Sequence, residues 1–251
     1  MEKKQKVFRK ILGKNIERWN TNTKKAKLLK GSGLNRLTVS LDTLNPENFH
    51  KISGSKYSPL DVLSGIDNAK NAGFQNIKVN MVVKKNVNHE DIIPMLDNFK
   101  NTGCIVRFIE FMDVGNVNFW NKDDVTSLED ILNIISEKYH IKPLEKNYNS
   151  EVAKRWSYQG GEFGVISSIS NPFCGDCSRI RLTAEGKLFT CLFANKSHDI
   201  KGLIRSSESD DKIKNYLVDM WSDRDDKYSE TRIVDGKYKI IKKAEMSYIG
   251  G

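Results

Sequence analysis

Between Asn35 and Asp42 apolar and polar side chains alternate, with Leu37, Val39 and Leu41 on one face and Thr38, Ser40 and Asp42 on the other. A period of two predicts a β-strand, and its polar side suits a wet site. A second strand is predicted over Ile77–Val83, with Lys78 and Asn80 sharing a face, and a third over Ile105–Met112. Helical segments separate them. Lys24–Lys30 reads as the end of a helix stopped at Gly31-Ser32-Gly33. Ser58-Pro59 supplies an N-cap and a first-turn proline for a helix ending at Gly73. Asn88 and Asp91 are expected to cap the next, with Pro94 delaying its regular part and Gly103 ending it. Strands alternating with helices predict a βαβαβ run, hence a parallel sheet with right-handed crossovers and ligands at the carboxyl ends of its strands.

The second half reads differently. Thr126–Tyr139 is a helix with a capping box from Ser127 to Asp130. Residues 150–170 carry Gly160-Gly161 inside a β-hairpin pattern that leads into a cysteine-bearing segment, so a small antiparallel sheet is expected there. Helices are predicted over Asp199–Arg205 and Ser209–Trp221, and a charged, mobile loop around Asp223–Asp235. At the other end Val7, Phe8, Ile11, Leu12 and Ile16 fall at helical spacing.

Composition changes the picture in two places. No apolar run approaches membrane-span length and no signal-peptide core is present, so a soluble, cytoplasmic, reducing setting is expected. The net charge of +9 would suggest a nucleic-acid or membrane partner until it is located. Residues 1–30 hold eleven Lys/Arg and two Glu, and the remaining 30 basic and 30 acidic residues cancel. The excess belongs to a basic leader, partly helical or disordered, and neither nucleic acid nor membrane is expected as a partner.

Three of the four cysteines, Cys174, Cys177 and Cys191, are spaced C-x2-C-x13-C. A disulfide is disfavoured in a reducing compartment. Three thiolates are one short of a closed zinc site, which His198 could complete, whereas a cubane iron–sulfur cluster can use three and leave one iron open. Arg179 and Arg181 alternate along an apparent strand just beyond the second cysteine, so both guanidinium groups would lie on one face beside the metal. Two permanent cations there suit an anionic ligand or an accepting base edge.

The run Phe-Cys-Gly-Asp-Cys-Ser-Arg-Ile-Arg-Leu-Thr-Ala-Glu-Gly-Lys, followed by Cys-Leu-Phe, resembles the auxiliary-cluster signature of the GTP 3′,8-cyclase family, radical S-adenosylmethionine enzymes of molybdenum cofactor biosynthesis. Similarity extends to Val-Ser-Leu-Asp-Thr-Leu, Arg-Phe-Ile-Glu-Phe-Met and the ending Met-Ser-Tyr-Ile-Gly-Gly. The resemblance implies a [4Fe-4S] cluster on Cys174, Cys177 and Cys191 whose open iron meets the base of GTP. It implies that Arg179, Ile180 and Arg181 contact GTP, that Lys78 meets the nucleotide phosphates, with Arg107 as a second candidate, and that Ser40 and Met112 contact S-adenosylmethionine. Gly250-Gly251 would match a tail that returns to the active site, a task suited to glycine backbone.

The family's first cluster sits on C-x3-C-x2-C, and the only cysteine before Cys174 is Cys104. This chain is therefore expected to carry the GTP side of the site, to lack the second cluster, and not to catalyse cyclisation alone. The expected fold class is α/β, a remnant of a partial (β/α)6 TIM-like barrel with three parallel strands, followed by a C-terminal α+β region carrying an iron–sulfur site. The divisions are a leader over 1–30, a partial radical-SAM barrel over 31–112 and a cluster and GTP region over 113–251. A three-strand remnant would expose a long edge at Asn35–Asp42, which suggests a homodimer or a complementing N-terminal half. Other functional readings are a non-catalytic nucleotide-binding paralogue and a zinc-ribbon structural protein.

Overall fold

The computed structural model describes residues 23–251 except 55, 117, 176, 235–236, 239–241, 247 and 250–251. The expected amphipathic helix over 1–22, most of the basic leader and Gly250-Gly251 therefore lie outside the described residues. The chain divides into two compact units. The first runs through Phe111 and adds Asp123–Asn147 and Ala153–Ser167; the second comprises Met112–Lys122, Tyr148–Val152 and Ser168–Gly251. Two segments from beyond residue 112 thus belong with the strands before it.

The first unit is built on a six-stranded mixed sheet. Its strands are β1 (Thr38–Ser40), β2 (Lys78–Val83), β3 (Ile105–Glu110), β4 (Lys142–Leu144), β5 (Lys154–Tyr158) and β6 (Gly161–Ile166), in the order β1-β2-β3-β6-β5-β4. The first four in that order are parallel, β5 pairs antiparallel with β6, and β4 pairs antiparallel with β5. Three parallel strands were expected; among the described residues there are four. The fourth, β6, comes from the hairpin assigned from sequence to the C-terminal sheet. Its Phe163 and Val165 are fully buried, and they continue the apolar face that Val79, Met81, Val106 and Phe108 begin. Burying that face against β3 outweighs keeping the hairpin with its sequence neighbours.

Helices α1 (Thr23–Gly31), α2 (Pro46–Ser53), α3 (Pro59–Asn71), α4 (Ile92–Phe99) and α5 (Leu128–Ser136) complete the unit. Ile66 of α3, Met95 and Leu96 of α4, and Ile131 and Ile135 of α5 share one core with the sheet. The predicted capping box forms at α5, with Ser127 and Asp130 exchanging bonds, and the expected N-cap Ser58 at α3 makes one as well, with Asp61. Fully buried Glu110, at the end of β3, accepts the Leu128 N–H at 2.9 Å, so a carboxylate meets the positive end of α5. Helix α2 was not anticipated, although Asn45-Pro46 carries its signature: the Asn45 side chain accepts from the Glu47 and Asn48 N–H groups.

The expected caps Asn88 and Asp91 make no side-chain cap bond. Asn88 instead clamps two strand ends, donating to Asp42 O at 2.7 Å and Val82 O at 2.9 Å while accepting from Lys84 N–H at 2.8 Å. A buried amide satisfied by three backbone groups is worth more there than a single cap. The predicted strand Asn35–Asp42 shortens to the three residues of β1, although the ladder continues one bond further, from Leu41 N–H to Asn80 O.

Phe163 packs edge-on against Phe108 (6.1 Å between ring centroids) and stacks on Trp156 (5.7 Å). Phe163→Ala is expected to remove about 3–5 kcal/mol from the unfolding free energy. Urea titration followed by tryptophan fluorescence measures it, and a loss under about 1 kcal/mol would show that the aromatic stack is not central to this core.

Candidate functional site

The sheet of the first unit carries one row of polar side chains. Register sets Ser40 beside Asn80, Asn80 beside Arg107, and Arg107 beside Gly164. These residues alternate with the buried Val79, Met81, Val106 and Phe108, so they occupy the sheet face opposite the main core. Arg107 Nε donates to Asn80 Oδ1 at 2.8 Å and its Nη2 to Thr38 Oγ1 at 3.4 Å. Gly164 packs beside it: a Cβ there would stand a tight 3.1 Å from Ala153 Cβ but at an ordinary 3.6 Å contact from Arg107 Cγ. Lys78 pairs with Thr38 on the same face. The sequence-predicted Ser40, Lys78 and Arg107 are thus brought onto one surface, which carries two cations.

In the second unit β7 (Arg181–Leu182), β8 (Lys187–Phe189) and β9 (His198–Asp199) form a small antiparallel sheet followed by α6 (Ile200–Arg205) and α7 (Asp210–Ser222). Only Arg181 and Leu182 of the expected Arg-Ile-Arg-Leu strand are laddered. The register opposes Arg181 to Phe189, so the chain preceding β7 and the chain following β8 emerge at the same end of the ladder. That end holds the cysteines. Cys177 N–H donates to Cys174 O at 3.2 Å, turning the C-x2-C segment, and Phe193 N–H donates to Cys191 Sγ at 3.4 Å.

Burial alone would raise the Cys177 thiol, but hydrogen bonds from the Arg179 backbone and guanidinium outweigh it and hold the thiol below its ordinary value. Burial raises the Cys191 thiol, with Asp226, Cys174 and Cys177 adding to the rise. Arg181 is lowered by burial and by Arg179, while Cys191 and Cys177 act on it in the opposite sense. Arg179 also lies over the Phe173 ring at 5.4 Å, whereas Ile180 between the two arginines is exposed. Three thiols and two guanidinium groups therefore share one neighbourhood. Soft thiolates are the donors an iron–sulfur centre takes. As the side chains stand, no group of three or more His, Cys, Asp or Glu among the described residues could hold a metal ion, so sharing one centre requires the thiols to turn inward.

Residues 9–99 match the Radical SAM superfamily, and residues 104–230 match Molybdenum Cofactor Synthesis C. GTP 3′,8-cyclase of Xanthomonas campestris pv. campestris (strain 8004) is 41% identical over 230 residues, covering 91% of this chain and 67% of that protein. The enzymes of the same name from Acidothermus cellulolyticus and Staphylococcus epidermidis are each 42% identical, covering 69% and 68% of their own lengths. The chain belongs to the GTP 3′,8-cyclase family. It spans about two thirds of the length of these relatives. Membership of the radical SAM superfamily implies an iron–sulfur cluster and S-adenosylmethionine as the family's cofactors. Among the described residues no helix is long and apolar enough to cross a membrane.

Met112, matched from sequence to S-adenosylmethionine, lies in the second unit, where the Ser168 hydroxyl donates to its sulfur. One residue further on is the organising group of this cyclase-family chain's second unit, which the sequence did not reveal. Asp113, 8% exposed, accepts from Tyr228 Oη at 2.6 Å, from Arg232 Nε at 3.1 Å and from Lys243 Nζ at 2.8 Å. Lys243 Nζ also donates to Asp113 O at 2.6 Å, and Arg232 Nη1 to Ser168 O at 3.1 Å. Beyond this, Glu245 accepts from Asn116 N–H at 3.0 Å, next to Gly115, whose φ of +64° is a conformation that favours glycine. Tyr228 and Arg232 come from the segment expected to be a mobile charged loop; their buried bonds to Asp113 contradict that expectation.

Burial would raise the Asp113 carboxyl, yet the Lys243 and Tyr228 hydrogen bonds and the two cations hold it below the ordinary carboxylate range. A depressed folded-state value means its stabilisation is complete above the unfolded carboxyl's range and is lost as pH falls through the folded value. Stability of this unit should therefore be level down to about pH 4 and decline below it. Asp113→Ala should cost about 3–5 kcal/mol by stranding two buried cations. Hydrogen exchange across residues 228–249 reads both effects, and wild-type protection in Asp113→Ala would refute the assignment.

Proposed function

We propose that this chain binds GTP at an iron–sulfur cluster held by Cys174, Cys177 and Cys191, as part of the GTP 3′,8-cyclase step of molybdenum cofactor biosynthesis. The observation that carries this reading is the grip of Arg179 on Cys177, with Cys191 and Cys177 both close enough to bear on the Arg181 guanidinium. A purely structural metal site has no use for two half-buried guanidinium groups. When bound, the cluster would supply an open iron position to the purine base. Arg179 and Arg181 offset the negative charge of the thiolates and donate to the nucleotide, and the acidified Cys177 thiol reaches its ligating form more readily. In the first unit, Lys78 and Arg107 are cations on one sheet face that suit an anionic phosphate group, with Asn80 and Thr38 accepting from Arg107. Ser40 and Met112 are assigned to S-adenosylmethionine, and the parallel strands to part of a (β/α)6 barrel.

Cleavage of S-adenosylmethionine is assigned outside these 251 residues, because they contain no C-x3-C-x2-C motif. The electron-donating cluster requires thiolates that a complementing segment would bring.

Anaerobic reconstitution should load about four irons per chain. Equilibrium dialysis of that protein should show GTP binding, weakened about tenfold or more by Arg179→Ala. No 5′-deoxyadenosine should form from S-adenosylmethionine. A colourless protein holding one zinc and indifferent to GTP would replace this reading with a structural one, and 5′-deoxyadenosine formed by the chain alone would refute the missing-cluster assignment.

A further inference from the structure

Two charged residues beside the cysteines have no role in the assignments above. Arg224 Nη2 donates to Cys177 O at 2.8 Å, and the guanidinium lies 4.2 Å from the Trp221 ring centroid. The side chain is thus pinned on two sides, yet its Nη1 is buried with no acceptor among the described residues. Asp226, two residues on, acts on the Cys191 thiol, and its Oδ2 is likewise buried with no donor. Both charges border the thiol neighbourhood, one through Cys177 and the other through Cys191. They are opposite in sign and close in sequence, but no bond joins them.

Buried polar atoms in folded proteins are almost always paired, so each orphan calls for a partner. These two ask for complementary things: Nη1 needs an acceptor and Oδ2 needs a donor. The ligand that satisfies both presents an acceptor and an N–H on one molecule. Guanine does so, with O6 and N7 as acceptors and N1–H and the 2-amino group as donors, and an arginine fork on O6 and N7 is its commonest protein contact. Adenine places an amino donor where guanine has its carbonyl, which would set N–H against N–H at the guanidinium.

We propose that Arg224 and Asp226 are the specificity-determining pair of the cysteine site, Arg224 donating to the guanine acceptor edge and Asp226 accepting from its N–H groups. This rests on the GTP reading above and names what would select the base. Neither residue ligates metal, and neither is required for the phosphates.

The test is equilibrium dialysis of the anaerobically reconstituted full chain with GTP, ITP and ATP. Wild type should prefer GTP over ATP by about 10-fold to 100-fold, the size of one or two polar contacts. Asp226→Asn should reduce that preference to about threefold or less, and because ITP lacks the 2-amino group, its affinity should fall less than that of GTP. Arg224→Lys retains a cation and a donor for Cys177 O, and should weaken GTP about tenfold while leaving ATP unchanged. Iron content and far-ultraviolet circular dichroism of each variant report folding, and Asp226→Asn decides the matter if Arg224→Lys loses iron. A variant with wild-type iron and an undiminished GTP preference overturns this inference and leaves the GTP reading standing. Wild type binding no nucleotide removes both.

Discussion

Asp113 stands almost fully buried between Arg232 and Lys243, so two cations face one carboxylate in a region stripped of water. Such an arrangement holds only if the surplus positive charge is met in another way. Tyr228 and Phe193 meet it: Lys243 Nζ lies 4.6 Å from the Tyr228 ring centroid and Arg232 5.4 Å from that of Phe193, and the two rings stack on each other at 4.8 Å. The negative faces of the rings take up charge that the carboxylate cannot. Strand-poor and drawn from segments far apart in sequence, the second unit has little regular ladder to hold it. Its cohesion depends on this ionic and aromatic knot, and the segment around Ala244, whose N–H bonds to Ala194 O near Cys191, is fastened by it.

The first unit is held differently. Its strands carry apolar residues toward the helices and polar residues the other way, and the parallel register aligns Ser40, Asn80, Arg107 and Gly164 into a row without any dedicated device. The absent side chain of Gly164 contributes too, because a methyl group there would stand 3.1 Å from Ala153 Cβ.

Features governed by neighbours in sequence were legible. The pattern predicted β2 and β3, with Lys78 and Asn80 of β2 on one face, and the N-cap at Ser58 and the capping box at Ser127–Asp130 followed from local spacing. Three-residue spacing is all a capping box needs. The place of β6 was hidden, since a hairpin pattern says nothing of which distant strand its outer edge will join. Asn88 had the composition of a cap and became a clamp between β1 and β2, a choice set by where the chain end of β1 arrives. At the cysteine site, the spacing placed Arg179 near Cys177 because they are two residues apart. Arg224 and Asp226 could not be read in the same way: no spacing rule links a helix end to a thiol loop more than forty residues earlier. Asp113 escaped for the same reason, as an ordinary acidic residue after a strand until Tyr228, Arg232 and Lys243 close on it.

The two margins of the large sheet are unequal. On one side β4 is outermost, and its middle residue is Pro143, which has no N–H to offer a further strand. On the other side β1 is outermost and three residues long, and among the described residues it pairs only with β2. Among the described residues growth of this sheet is therefore one-directional: an additional strand, from this polypeptide or another, meets no proline alongside Thr38–Ser40, and the polar row that ends at Ser40 would lengthen with it.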